Sequence, residues 1–347
     1  MESILAFIFV LGLIVFIHEL GHLLSAKAFG VYCKEFALGM GPKIYSIKGK
    51  ETEYSIRLLP LGGFVSMVGE EGVEVDVPKE RSLKGIHPLK RLVVMLAGIV
   101  MNILLAYVIM VGLHIHNGYV MQNPEPILGE IIENSPADLA GLKLNDRIVE
   151  VQFSDGTKIE PNDFYDLVEV LQLYQNTMTF VVERDQSLIN IEISPKLDEE
   201  RGYYVIGVMS PQAQVKEITF LEAFMYGAQD LVDMSESMLM TLSRLVRGIG
   251  LSAISGPVGI FQVTAQSAQM GILSLLYLTG LLSLNVALFN LIPLPLLDGG
   301  RAVLIFIEIL IGKPVNAKIE QALMLASMIL LLLLTLFVTS QDLFKLF

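Results

Sequence analysis

The chain opens with an apolar run from Ile4 to Lys27, interrupted at one place by His18-Glu19-Leu20-Gly21-His22. A run of that length and composition can cross a bilayer as a helix. An ionisable side chain at the bilayer centre costs about 2.5–3.5 kcal/mol even on lenient insertion scales, so His18, Glu19 and His22 together require a compensating partner. A metal ion is such a partner. On a helix His18 and His22 stand one turn apart on the same face, where both ring nitrogens reach one zinc ion, and Glu19 lies close enough to act on a water bound there. The same pentapeptide also arises by chance on solvated faces of soluble helices, a setting that lipid removes. A cleavable secretory leader would be apolar too, but Glu2 stands where a basic n-region is expected and no small-x-small site follows the run.

Elsewhere the composition agrees with a membrane setting. Hydrophobic residues make up 53% of the 347 and charged residues 17%, and apolar runs of membrane length recur near the C-terminus. The net charge of −12 is unevenly spread. Lysines and arginines crowd the stretch from Lys27 to Arg91, whereas acids outnumber bases by more than two to one between Asn117 and Gly250. The positive-inside rule therefore places the first loop in the cytoplasm and the acidic middle outside. An acidic chain of this kind offers nothing to a nucleic acid. Cys33 is the single cysteine, so no internal disulfide forms and the outer domain depends on its core.

Four transmembrane segments follow from the hydropathy pattern: about Ile4–Ala26, Leu92–Ile115, Ile272–Leu291 and Ala322–Val338. Between the first two, the β-branched and aromatic run from Thr52 to Met67 reads as a hairpin or short sheet with Gly62 and Gly63 at its bend. It is too apolar for an ordinary cytoplasmic loop. Dipping back into the membrane is permitted where its backbone is covered by protein or faces a watery cavity, and an exposed edge there would pair with an extended substrate. Asn102, in the second segment, reads as structural or as packing near the site, and His114 and His116 as solvated at the interface. Residues 124–197 have the strand and turn pattern of a small inserted domain, and Phe220 to Gly250 that of an amphipathic helix lying on a surface. After the third segment, Pro293 and Pro295 break the helix and Asp298 follows. A carboxylate at that depth needs a partner, and the open third ligand position of the two histidines supplies one.

Taken together, His18-Glu19-Leu20-Gly21-His22, Gly39-Met40-Gly41, Leu59-Pro60-Leu61-Gly62-Gly63, Ser255-Gly256-Pro257-Val258-Gly259-Ile260 and the run from Asn290 to Gly299 resemble the bacterial site-2 proteases, zinc metalloproteases of regulated intramembrane proteolysis. Residues 124–197 resemble a circularly permuted PDZ domain through Gly141-Leu142-Lys143-Leu144-Asn145-Asp146-Arg147-Ile148, in which Asn145 replaces the usual glycine. Within the family the likeness is to single-PDZ relatives of the sigma-factor-regulating branch. The resemblance implies zinc held by His18, His22 and Asp298, with Glu19 as general base. It also implies substrate contacts from Asn285 and Asn290 and from the re-entrant hairpin with its neighbouring glycines, namely Gly39, Gly41, Leu61, Gly62, Gly63 and Phe64. One departure is Ile99, where relatives usually carry proline after Ala97-Gly98.

The expected fold is an α-helical integral membrane protein with four transmembrane segments, a membrane-re-entrant β-hairpin or sheet, and one inserted extracytoplasmic PDZ domain of α+β type. The expected parts are 1–27 (first segment), 28–90 (cytoplasmic or re-entrant β region), 91–116 (second segment), 124–197 (PDZ), 198–250 (linker and amphipathic helix), 251–312 (third segment) and 313–347 (fourth segment and C-terminus). The implied location is a bacterial inner membrane, with both termini and the PDZ domain outside and the site toward the cytoplasm. The implied partners are the lipid bilayer and transmembrane proteins or peptides already cut by another protease, with no nucleic acid. Two rivals share the same intramembrane residues: a proton-coupled transporter, for which the chain lacks paired repeats, and a PDZ-bearing membrane protein that binds without cutting.

Overall fold

The computed structural model describes residues 2–70, 73, 75–174, 176–198, 203–211, 214–246 and 256–344. The chain forms two compact units: Met1–His116 with Phe220–Phe347, and the inserted Asn117–Thr219. In chain order the elements are α1 (Glu2–Ala28), β1 (Cys33–Lys48), β2 (Glu53–Met67), α2 (Pro88–Asn117), β3 (Tyr119–Gln122), α3 (Pro136–Leu139), β4 (Arg147–Phe153), β5 (Lys158–Ile159), α4 (Phe164–Leu173), β6 (Met178–Arg184), β7 (Ser187–Ile193), β8 (Lys196–Asp198), β9 (Tyr203–Val205), β10 (Gln214–Glu217), α5 (Phe220–Val246), α6 (Pro257–Met270), α7 (Ile272–Asn290), α8 (Asp298–Ile311) and α9 (Ala317–Phe344).

Among the described residues, four helices are long and apolar enough to cross a membrane, within α1, α2, α7 and α9. In α1 and α7 apolar side chains lie on every side rather than along a stripe, as expected of helices surrounded by lipid and protein. By contrast α5 separates a polar from an apolar face, as an amphipathic helix does; positions 247–250 of the expected helix lie outside the described residues. The core beneath the site joins Leu23 and Ala26 of α1, Phe36 and Val65 of the strands, Val94 and Met95 of α2, and Ala302 and Ile305 of α8.

The β region departs from the expected plan. The hairpin's turn lies at Gly49 to Thr52, where the Gly49 N–H donates to the Thr52 carbonyl at 2.9 Å, not at Gly62 and Gly63. Glu35, Phe36, Ala37 and Leu38 each have two partners: Ser66, Val65, Phe64 and Gly63 on one flank, and Glu53, Tyr54, Ser55 and Ile56 on the other. Each long strand therefore bends along its length, with residues 33–38 in the interior and 63–67 at an edge. Gly39, Gly41 and Gly62 have φ of +87°, +86° and +76°, a backbone region that side-chain-bearing residues rarely adopt. Thus these glycines bend the strands.

Helix α6 was absent from the expected elements. Its signal is Gly256 followed by Pro257 at the first helical position, a favoured helix start. It packs on α1, with the Phe7 and Phe261 rings edge-on at 5.4 Å. Ser255, the first residue of the motif quoted there, lies outside the described residues.

The inserted unit has an antiparallel sheet in the order β5-β4-β6-β7, with β3–β10 and β8–β9 as separate pairs. Phe180, Val151, Ile148, Leu128, Leu167 and Ile206 form its core. Asp163 caps α4 by accepting from the N–H groups of Tyr165 and Asp166, and Ser135 caps α3 from Asp138. Asn145 has φ +69°, a conformation that asparagine adopts more readily than most side-chain-bearing residues. The unit runs from Asn117 to Thr219, wider than 124–197, because β3 and β10 pair across some 90 intervening residues.

Candidate metal centre

Helix α1 carries His18 and His22 on one face, with ring centroids 4.9 Å apart and their Nε2 atoms 3.3 Å apart. The third group comes from the break between α7 and α8. Pro293 and Pro295 have no N–H to continue the helix, and the chain turns tightly through Leu294 and Leu297 before α8 begins at Asp298. Gly299 and Gly300 allow that turn, since a Cβ on either would collide with the carbonyls of Leu291 and Leu294. The Asp298 Oδ2 then lies 3.0 Å from His18 Nε2 and 3.3 Å from His22 Nε2.

This donor set fits a cation. His22 Nδ1 is 2.8 Å from the Val94 carbonyl, which can only accept, so Nδ1 carries a proton, and with the ring neutral, as metal ligation requires, the lone pair of Nε2 faces Asp298. Asp298 Oδ2 is itself buried with no hydrogen-bond donor. Electron pairs thus converge on one point, where an ion would bind them all. Two imidazole nitrogens and one carboxylate, mutually within 4.8 Å, make a donor set that could hold a metal ion and is of the kind that suits a catalytic zinc.

Helix α2 closes the other side. A Cβ on Gly98 would lie 2.5 Å from His22 Nε2 and 2.7 Å from His18 Cε1, so only glycine leaves room for both rings. Asn102, fully buried, places its Nδ2 3.3 Å from His18 Nδ1 and receives the Ser283 hydroxyl on its backbone carbonyl at 2.9 Å. The expectation of packing near the site understates this residue, which touches a histidine of the cluster. His114 also departs from expectation: rather than being solvated, its Nε2 sits 2.8 Å from Asp230 Oδ2 of α5. His116 is exposed, as expected.

Glu19, Asn290, Gly63, Phe64 and Arg301 line a cavity of about 570 Å³ that also contains the His18–His22–Asp298 cluster. Gly63 lets β2 approach α1, as a Cβ there would lie 2.8 Å from Val15 Cγ1 and 3.1 Å from Glu19 Cγ. Residues 63–67 therefore run along the cavity, and among the described residues β1 is their only strand partner. Among the described residues, Asn285, Gly39, Gly41 and Gly62 are not in the lining, and the side chain of Leu61 lies outside what the structure describes; Asn285 is half-buried in α7. Two ion pairs that sequence reading missed stand in the same wall. Arg301 meets Glu70 at 3.0 Å and Arg91 meets Glu308 at 2.6 Å, each joining segments far apart in sequence.

A buried two-histidine, one-aspartate cluster with a neighbouring glutamate, set among membrane-length helices, is the equipment of a membrane-embedded metallopeptidase. The comparisons with known proteins agree. The model of peptidase family M50 matches residues 6–334. The regulator of sigma-W protease RasP of Bacillus subtilis is 33% identical, with 100% of this chain and 99% of the relative covered. The zinc metalloproteases RasP of Bacillus licheniformis and Shouchella clausii are 31% and 30% identical, each with full coverage of both chains. The chain belongs to peptidase family M50. It is a membrane protein and a zinc-dependent intramembrane endopeptidase, which sets aside the transporter and the non-cutting binder.

Proposed function

We propose that His18, His22 and Asp298 hold the zinc, that Glu19 is the general base and acid, and that the substrate is a transmembrane segment held extended along residues 63–67. The convergence of His18 Nε2, His22 Nε2 and the donorless Asp298 Oδ2 carries this reading. The chemistry the ion supplies is Lewis acidity, which brings the pKa of a water down to about 7. Glu19, in the wall of the same cavity, takes the proton of the attacking water and returns it to the leaving amine nitrogen.

A transmembrane helix hides its carbonyls in intrahelical hydrogen bonds, so the scissile stretch has to unwind before attack. The 63–67 edge supports strand addition, which rewards an unwound backbone and reads few side chains. The Asn290 amide, in the cavity, holds the unwound segment from the other side, and Asn285 serves a stretch further along α7. Gly39, Gly41 and Gly62 act at one remove, by shaping the sheet that presents Gly63 and Phe64, and Leu61 remains a substrate contact implied by the family resemblance.

The β region is membrane-re-entrant in this reading, supported by exposed Met40, Ile44, Ile56, Leu58 and Leu59. The basic residues from Lys27 to Arg91 put this side of the protein in the cytoplasm, with the inserted unit and both termini outside a bacterial inner membrane. The inserted unit is a PDZ domain, supported by its sheet with α4 and by the positive φ of Asn145. It admits substrates already shortened by another protease, either by binding the new carboxyl terminus or by excluding bulky outer domains. Such substrates include anti-sigma factors and signal-peptide remnants.

The test is cleavage of a single-span membrane substrate by the purified full chain. Glu19→Gln is expected to lower the rate by about 10²–10⁴-fold while zinc stays bound. Cleavage by Glu19→Gln at the wild-type rate would remove the glutamate from the chemistry. Deleting 124–197 separates the roles of the inserted unit: a full-length substrate that becomes cleavable supports exclusion, and one that stays resistant rules it out.

A further inference from the structure

His22 has an orienting partner in the Val94 carbonyl; the corresponding partner of His18 is Asn102. The contact as it stands runs from Asn102 Nδ2 to His18 Nδ1, while Asn102 Oδ1 is buried with no hydrogen-bond partner. A histidine that ligates a metal through Nε2 carries its proton on Nδ1, and it needs an acceptor there. An amide nitrogen cannot accept. Half a turn about the last side-chain bond exchanges the amide's oxygen and nitrogen in place, and the hydrogen-bond network decides which orientation holds. That exchange gives the orphaned Oδ1 a donor and the Nδ1–H an acceptor in one step.

We infer that Asn102 is the positioning residue for His18: its Oδ1 accepts the Nδ1–H, fixing the tautomer and ring plane that aim Nε2 at the zinc. The inference rests on the proposed ligand set. Its frame is a stripe of α2 at four-residue spacing, in which Val94 supplies a carbonyl, Gly98 an open space and Asn102 an amide. The Ser283 hydroxyl from α7, donating to the Asn102 carbonyl, ties that stripe to a second helix. The two histidines are therefore oriented differently, one by backbone and one by a side chain. Only the second arrangement can be removed by substitution.

The experiment titrates zinc into metal-stripped full chain in detergent against a chromophoric chelator. Asn102→Leu, similar in size with no acceptor, is expected to weaken zinc binding by about 10–100-fold. Asn102→Asp, which keeps an acceptor oxygen, is expected to remain within about threefold of wild type. Wild-type affinity in Asn102→Leu would overturn the inference, as would equal losses in both variants, the sign of a purely packing role. Absence of zinc binding by the wild type would instead defeat the ligand assignment beneath it. Should Asn102→Leu fail to fold, the zinc-loaded wild type labelled with ¹⁵N-histidine decides: a protonated Nδ1 on His18 is expected, and a bare Nδ1 contradicts the assignment.

Discussion

Asp146 in the inserted unit and Asp298 in the membrane unit are both largely withdrawn from solvent, with side-chain exposures of 1% and 17%, yet their surroundings are opposite. Asp146 is answered entirely by donors: Arg184 reaches both its oxygens at 2.7 Å and the Lys143 N–H meets Oδ2 at 2.8 Å. Asp298 faces two imidazoles, and its Oδ2 has no hydrogen-bond donor. Folding completes the first environment. The second would be completed by a cation, so in the proposed ligand set one carboxylate serves stability and the other serves the site. Arg184 also donates to the Gly141 carbonyl at 2.9 Å, which makes the Asp146 pair a brace for the turn around Asn145.

The two carboxylates are separated most sharply by a substitution at Gly98. A valine there would push against both histidine rings, and Gly98→Val is expected to abolish zinc binding with the helices intact, as read by metal analysis and circular dichroism. Arg184→Met removes the partner of a buried carboxylate and is expected to destabilise the inserted unit by about 3 kcal/mol, measured by thermal unfolding, with zinc content unchanged. If either variant produced the other's effect, the division of labour between the two units would fail.

The smallest effect concerns Cys33, fully buried in the core under the sheet, whose thiol is pushed up to about 11 by burial. It is expected to resist alkylation at pH 8 until the protein is unfolded, when its pKa returns to about 8.5. The folded state favours the neutral thiol, so the contribution is complete below about pH 8.5 and declines as pH rises toward 11. Rapid labelling of native protein at pH 8 would contradict this packing.

The parts of the site legible in the sequence are those whose residue types are chemically unusual for lipid. His18, Glu19, His22 and Asp298 stand out because an apolar segment gives a polar group no solvent, and the spacing on α1 puts both rings on one face. The supporting residues are quiet for physical reasons. Val94 contributes a backbone carbonyl that any residue would have, Gly98 contributes empty space, and Asn102 looks like an ordinary interhelical contact until His18 is placed beside it. The Thr52–Met67 run was legible as strand by composition, but its pairing with residues 33–48 and the bends were not, since Gly39, Gly41, Gly49, Gly62 and Gly63 are equal candidates until pairing selects Gly49 for the turn. The pairing of β3 with β10 leaves no local trace because the partners lie far apart in the chain.

In the proposed centre the ion's third ligand is Asp298, brought to the two histidines of α1 by the break between α7 and α8. The most direct measurement is the zinc content of purified full chain. About one zinc per chain is expected for wild type and for Asp146→Asn, and a large loss for Asp298→Asn. Wild-type zinc occupancy and affinity in Asp298→Asn would remove Asp298 from the ligand set.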